Sequence, residues 1–239
     1  MTKPLQRIAV DPERAREGAW YWTVPAIRHL REHGLDLTAP VTIVVGENGS
    51  GKSTFIEALA FAWTGNLPAA VHHWGPLPSD EDTDLHRAIR LTGERPPPNG
   101  GCFLRAEAMH AHFGRIDSGE ELRAFDGIPL NARSHGEAFL AFLESRRYER
   151  GLYLLDEPEA ALSFRSCLRL IALLADAVAA GSQVVMATHS PVLAAFPRSV
   201  LLELSDNGIE VQDYDGLDLV RDWREFLAAP ERWTRHLVD

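Results

Sequence analysis

Three short apolar runs punctuate the chain: residues 41–45 (VTIVV), 152–155 (LYLL) and 183–188 (QVVMAT). Continuous aliphatic and β-branched runs of this length suit strands buried on both faces of a parallel sheet. Helical patterns follow the first two, over 54–64 and over 163–180, where Gly181 supplies the stop. Residues 137–148 read as an amphipathic helix, with Phe139, Leu140 and Leu143 on one side, leading into the second run. Alternation of strand and helix predicts a wound α/β fold with a parallel core.

Weaker signals fill the intervals. Residues 5–10 predict an edge strand, Pro25 opens a short helix through His33, and 102–106 predict a strand. Residues 200–204 and 209–212 flank SDNG as an antiparallel hairpin at the sheet edge, and 218–238 read as helix interrupted near Pro230. Between Gly65 and Gly101 the composition shifts to proline, glycine, histidine and acid, ending in PPPNGG, which allows at most one short helix near 83–91. The expectation is a single domain, 1–239, with residues 65–133 as a short irregular or helical insertion.

Composition narrows the function classes. With 239 residues and 45% hydrophobic content the chain can bury one substantial core. The formal charge of −10 argues against gripping nucleic acid through bulk charge, so nucleic acid is a conceivable partner that nothing indicates. Cys102 and Cys167 have no metal-binding or disulfide-framework spacing, which fits a reducing, cytoplasmic setting. The N-terminal residues form no apolar leader and no stretch is long enough to span a bilayer, so direct membrane insertion is not expected.

Candidate chemistry lies at the ends of the three runs. After the first, Gly46-Glu47-Asn48-Gly49-Ser50-Gly51-Lys52-Ser53 satisfies GxxxxGK[ST] between a strand and a helix, the setting in which backbone N–H groups and a helix start cradle phosphate. Lys52 is expected to bridge the β- and γ-phosphates of ATP. Ser53 is expected to coordinate Mg²⁺, and Thr54 to start the packed helix face or touch the α-phosphate. After the second run, Asp156 is placed to orient the Mg²⁺ shell, and Glu157 to take a proton from an attacking water. Glu159 reads as a helix-start charge. After the third, His189 is positioned to meet the γ-phosphate or that water.

In this order, residues 46–54, LYLLDEPE at 152–159 and ATHS at 187–190 make the chain resemble the ABC-type ATPases, specifically the stand-alone soluble branch of the AAA-family, RecF-like group. Ser134-His-Gly136-Glu137, ahead of a helix, is similar to a shortened form of that family's signature. The resemblance implies an ATPase whose signature binds the γ-phosphate of a second subunit, hence an ATP-dependent head-to-tail homodimer acting on an unknown protein partner. Ser134 is also explained as an ordinary helix cap. The family's linking glutamine is missing, since no glutamine lies between Lys52 and Asp156, leaving Glu107 as a weak substitute near the metal. Of the aromatics 20–22, Tyr21 is the candidate for stacking on adenine, with core packing the alternative. Service as the nucleotide-binding subunit of a membrane transporter, or in DNA repair or defence, are the alternative roles.

Overall fold

The computed structural model describes residues 4–64, 84–94, 101–109 apart from the Glu107 side chain, 113, 114, 116, 125, 128–235 and 237. Six strands form the central sheet: β3 (Val41–Gly46), β5 (Gly101–Arg105), β6 (Leu152–Asp156), β7 (Gln183–Ala187), β8 (Val200–Ser205) and β9 (Gly208–Gln212), in the order β5-β6-β7-β3-β8-β9. All neighbours run parallel except the β8–β9 hairpin at one edge. The wound α/β expectation holds, including its antiparallel edge.

Side chains of the core strands alternate between two apolar layers, because successive residues of a strand face opposite ways. Ile43, Val45, Tyr153, Leu155, Val184 and Met186 belong to one layer, and Val44, Leu154, Val185 and Ala187 to the other. The first layer is completed by helices α3 (His135–Arg146), α4 (Phe164–Ala179) and α6 (Asp218–Ala228), through residues such as Phe139, Leu170 and Val220. The second takes α1 (Pro25–His33) and α2 (Lys52–Thr64), whose length from Phe55 to Trp63 is buried. A short α5 (Pro191–Ala194) follows β7, and α7 (Pro230–Thr234) follows α6.

Two sequence expectations change. The strand expected at an edge, β1 (Arg7–Val10), is instead the middle of a small antiparallel sheet between β2 (Leu35–Asp36) and β4 (Ile89–Thr92). The short helix expected near 83–91 is a 3₁₀ turn over Asp84–Arg87 followed by β4, whose residues lie opposite β1 from Ile89 beside Val10 to Thr92 beside Arg7. Pairing with β1, distant in sequence, outweighs the local helical tendency. Within the 65–133 stretch, the strand expected over 102–106 is present as β5, which joins the central sheet at its edge. Gly101 makes that entry possible, since at its φ of +96° a Cβ would meet Leu152 O at 2.0 Å.

One buried side chain ties the small sheet to the large one. Gln183, at the start of β7, accepts from Leu5 N at 2.8 Å and donates to Leu5 O at 2.9 Å and Leu37 O at 2.6 Å. Removing it leaves several buried backbone groups without partners, each costing about 1–3 kcal/mol. Gln183→Leu is therefore expected to lower the urea-unfolding stability by roughly 3 kcal/mol. Gln183→Glu should not rescue it, because a carboxylate cannot donate to the two carbonyls.

Candidate functional site

The phosphate loop leaves β3 at the sheet centre and enters α2. Its glycines answer to close neighbours: a Cβ on Gly46 would lie 2.5 Å from Leu204 O, and one on Gly51 would lie 2.6 Å from Val24 Cγ1. With these contacts closed, the loop curls around the Lys52 ammonium, which donates to Gly46 O and Glu47 O at 2.9 Å each. Burial pulls the Lys52 pKa below its ordinary value, opposed by the carboxylates of Glu157 and Asp156. The Ser50 hydroxyl is buried without a hydrogen-bond partner. A lysine whose ammonium donates to loop carbonyls, an unpartnered hydroxyl and a helix start together fit a polyphosphate. Glu47, Asn48 and Gly49 form the exposed rim of the loop, and Thr54 is half-buried at the first turn of α2.

The ends of β6 and β7 stand beside the loop. Ser53 Oγ donates to Asp156 Oδ1 at 3.2 Å. A hydroxyl and a carboxylate oxygen so placed are the hard donors Mg²⁺ takes when phosphate completes its shell, so the residues fit that ion. Asp156 is buried, and burial raises its pKa against the pull of Arg105. Glu157 leaves the strand in the left-handed region, φ 47° and ψ 51°, a strained conformation for a non-glycine residue. Its N–H donates to Ala187 O at 3.0 Å, joining the end of β6 to the end of β7. His189 Nε2 approaches Glu157 Oε1 at 3.3 Å without the alignment of a hydrogen bond. Two clefts open here: one of about 220 Å³ between Ser53, Arg105, Asp156 and Glu157, and one of about 360 Å³ between the loop rim, His189 and Glu203.

Three residues gain importance that the sequence reading did not give them. Arg105, directly opposite Asp156 in the β5–β6 register, donates through Nε to Asp156 Oδ2 at 3.1 Å and through Nη2 to Glu57 Oε2 at 2.5 Å. Burial weakens its hold on the proton, but the Glu57 hydrogen bond and the Asp156 charge outweigh this and raise its pKa further. Glu57 carried a readable signal, since it lies four residues after Ser53 and so on the same face of α2. Arg105 carried none, because strand register is a tertiary fact. The third is Glu159, read as a helix-start charge; its carboxylate is turned inward and accepts from the His189 N–H at 2.5 Å.

Other candidates stand apart. Tyr21 is 2% exposed and its hydroxyl donates to Asp84 Oδ1 at 2.9 Å, which corrects the adenine-stacking expectation: the ring is packed in the core. Burial, with Asp84 adding to it, pushes its phenol up to about 12. Glu107 falls in the turn after β5, and its side chain lies outside the described residues. Ser134, Gly136 and Glu137 line neither cleft. They form a capping box at the start of α3, where Ser134 Oγ donates to Glu137 Oε2 at 2.6 Å and accepts from Glu137 N at 3.4 Å. Gly136 lets this helix start rest on the turn after β6, since a Cβ there would meet Ala161 O at 2.8 Å.

Similar proteins are found among ATP-binding families. Two AAA-domain family models match, one over residues 26–73 and the other, described as "AAA domain, putative AbiEii toxin, Type IV TA system", over residues 138–195. The hemin import ATP-binding protein HmuV of Streptomyces coelicolor is 32% identical over 177 residues, which are 65% of this chain and 61% of that protein. The chain thus spans under two thirds of that relative's length. The cytochrome c biogenesis ATP-binding export protein CcmA of Mesorhizobium japonicum is 31% identical over 169 residues, 63% of this chain and 78% of the relative. Its counterpart from Rhodopseudomonas palustris is 28% identical over 174 residues, covering 66% and 84%. A solved structure described as "an inward-facing conformation of a putative metal-chelate type ABC transporter" shares the fold, with a TM-score of 0.50 at 14% identity over 93% of this chain and 89% of that one. With its phosphate loop, strand-end acids and strand-end histidine at one sheet edge, the chain belongs to the ABC-type ATPases.

Proposed function

We propose that the chain is an ATP-driven switch in the cytoplasm: two copies close head to tail around two ATP molecules, hydrolysis reopens them, and a protein partner reads the change. The observation that carries this reading is that the candidate groups fall in two separate places on one copy. Glu157 and His189 stand at an open edge, with side chains 39% and 31% exposed, whereas the serine-capped start of α3 is exposed and lines neither cleft. A second copy can bring that helix start to the open edge.

Each side chain then has a task. The N–H groups and glycines of residues 46–54 bind the phosphates, and Lys52 turns from the loop carbonyls to the β- and γ-phosphate oxygens. Ser53 and Asp156 hold Mg²⁺, which when bound neutralises charge developing on the phosphates. Glu157 takes the proton of the attacking water, and His189 orients that water or the γ-phosphate. From the other copy, Ser134 turns its hydroxyl from Glu137 to the γ-phosphate, with the N–H groups around Gly136 and Glu137 adding donors at the helix start.

A second reading, a nucleotide-binding subunit of a membrane transporter, is favoured by the relatives' names, which refer to hemin import and to export in cytochrome c biogenesis. Among the described residues no helix is long and apolar enough to cross a membrane, so that role needs a separate membrane protein. Retention on a detergent-solubilised multi-span protein during purification from the native host separates the two readings.

Glu157→Gln is expected to cut phosphate release by about 10²- to 10⁴-fold while fluorescent-ATP binding persists. Unaltered turnover in that variant would remove Glu157 from the general-base role. In the wild type, turnover per chain should climb with protein concentration, and Ser134→Arg should flatten and lower that curve. A per-chain rate independent of concentration contradicts a site shared between two copies.

A further inference from the structure

The turn after β6 carries an acid placed unlike a helix-start charge. Glu159 lies within the turn Pro158–Ala161, yet its Oε1 reaches across to the end of β7 and accepts from the His189 N–H at 2.5 Å. Its other oxygen is buried without a well-aligned hydrogen-bond partner, and burial pushes the carboxyl above the ordinary range, against the pull of the His189 N–H, the residue's own backbone and the Thr188 side chain. A buried carboxylate half-satisfied in this way is costly. At a solvent-facing helix start the same residue would avoid that cost, so its inward turn calls for a role in the site.

Its partner supplies that role. The chain leaves β6 through Glu157 in its left-handed conformation and doubles back so that Glu159 meets the segment Thr188–His189. Two hydrogen bonds then join the strand ends: Glu157 N to Ala187 O at 3.0 Å, and His189 N to Glu159 Oε1. Between them the imidazole stands 3.3 Å from the Glu157 carboxylate. The first bond fixes the backbone of Glu157 and the second fixes that of His189, so the spacing of the two functional side chains depends on both.

We infer that Glu159 is a positioning residue: its buried carboxylate oxygen holds the His189 backbone so that the imidazole stays aimed at Glu157 and the phosphate side of the cleft. This rests on the roles proposed above for Glu157 and His189. What matters is the acceptor oxygen rather than the charge. Glutamine keeps that oxygen, while methionine fills the same space without it.

The test uses the full chain carrying Glu159→Gln, Glu159→Met or His189→Ala, with Glu159→Ala as a second acceptor-free variant should Glu159→Met not fold. Steady-state kinetics are read beside the His189 imidazole signals in NMR spectra of the nucleotide-free protein. Displacement of a catalytic group by about 1 Å can cost on the order of a hundredfold, so Glu159→Met is expected to lower kcat at least about tenfold. KM for ATP should change little, the His189 signals should move, and Glu159→Gln should retain most of the activity and the wild-type signals. Wild-type kcat in Glu159→Met while His189→Ala loses activity overturns the inference, as does a glutamine variant as impaired as the methionine one. If His189→Ala itself turns over normally, the role of His189 falls instead, and unmoved His189 signals in Glu159→Met then overturn the positioning of the ring.

Discussion

Everything at the site depends on the parallel register of β6, β7 and β3. Asp156 pairs with Ala187 across β6 and β7, and Ala187 pairs with Val44 across β7 and β3, so β6 and β7 end level while β3 runs two residues further, to Gly46 at the start of the phosphate loop. Because successive side chains of a strand alternate in direction, a slip of one residue would turn Asp156 away from Ser53 and reverse which layer every core residue enters. The two apolar layers forbid that slip, since each strand has bulky residues committed to both faces. Packing of the core and geometry of the chemistry are thus the same constraint.

Onto this fixed edge the chain places groups that a stable fold would avoid. Asp156 is a buried acid, Glu157 sits in a left-handed conformation, Lys52 is buried among loop carbonyls, and Arg105 bridges two buried carboxylates. Such concentrations of desolvated charge and backbone strain gather where a ligand will supply the missing partners. Arg105 and Glu57 moderate the arrangement before nucleotide arrives, holding one Asp156 oxygen while the other faces Ser53.

Local pattern made much of this legible. The runs at 41–45, 152–155 and 183–188 mark the core strands, because burial on both faces leaves a continuous apolar run. The phosphate loop and the acids and histidine at the strand ends are likewise visible, since their chemistry needs fixed spacing within one segment. Contacts between distant segments were not legible. Nothing near residues 89–92 announces a strand paired with β1, nothing near Arg105 announces its place opposite Asp156, and DEPE does not reveal that Glu159 turns inward toward His189. Tyr21 illustrates the converse: an aromatic in the right neighbourhood is claimed by the core through Asp84.

The proposed switch requires one chain to carry two halves of different sites: a phosphate loop with its acids, and a serine-capped helix start that serves another copy. The most direct measurement is the mass in solution of the Glu157→Gln protein by light scattering, with and without Mg-ATP. The account predicts a monomer that becomes a dimer only when Mg-ATP is present. A mass that ATP leaves unchanged, with nucleotide demonstrably bound, would contradict it.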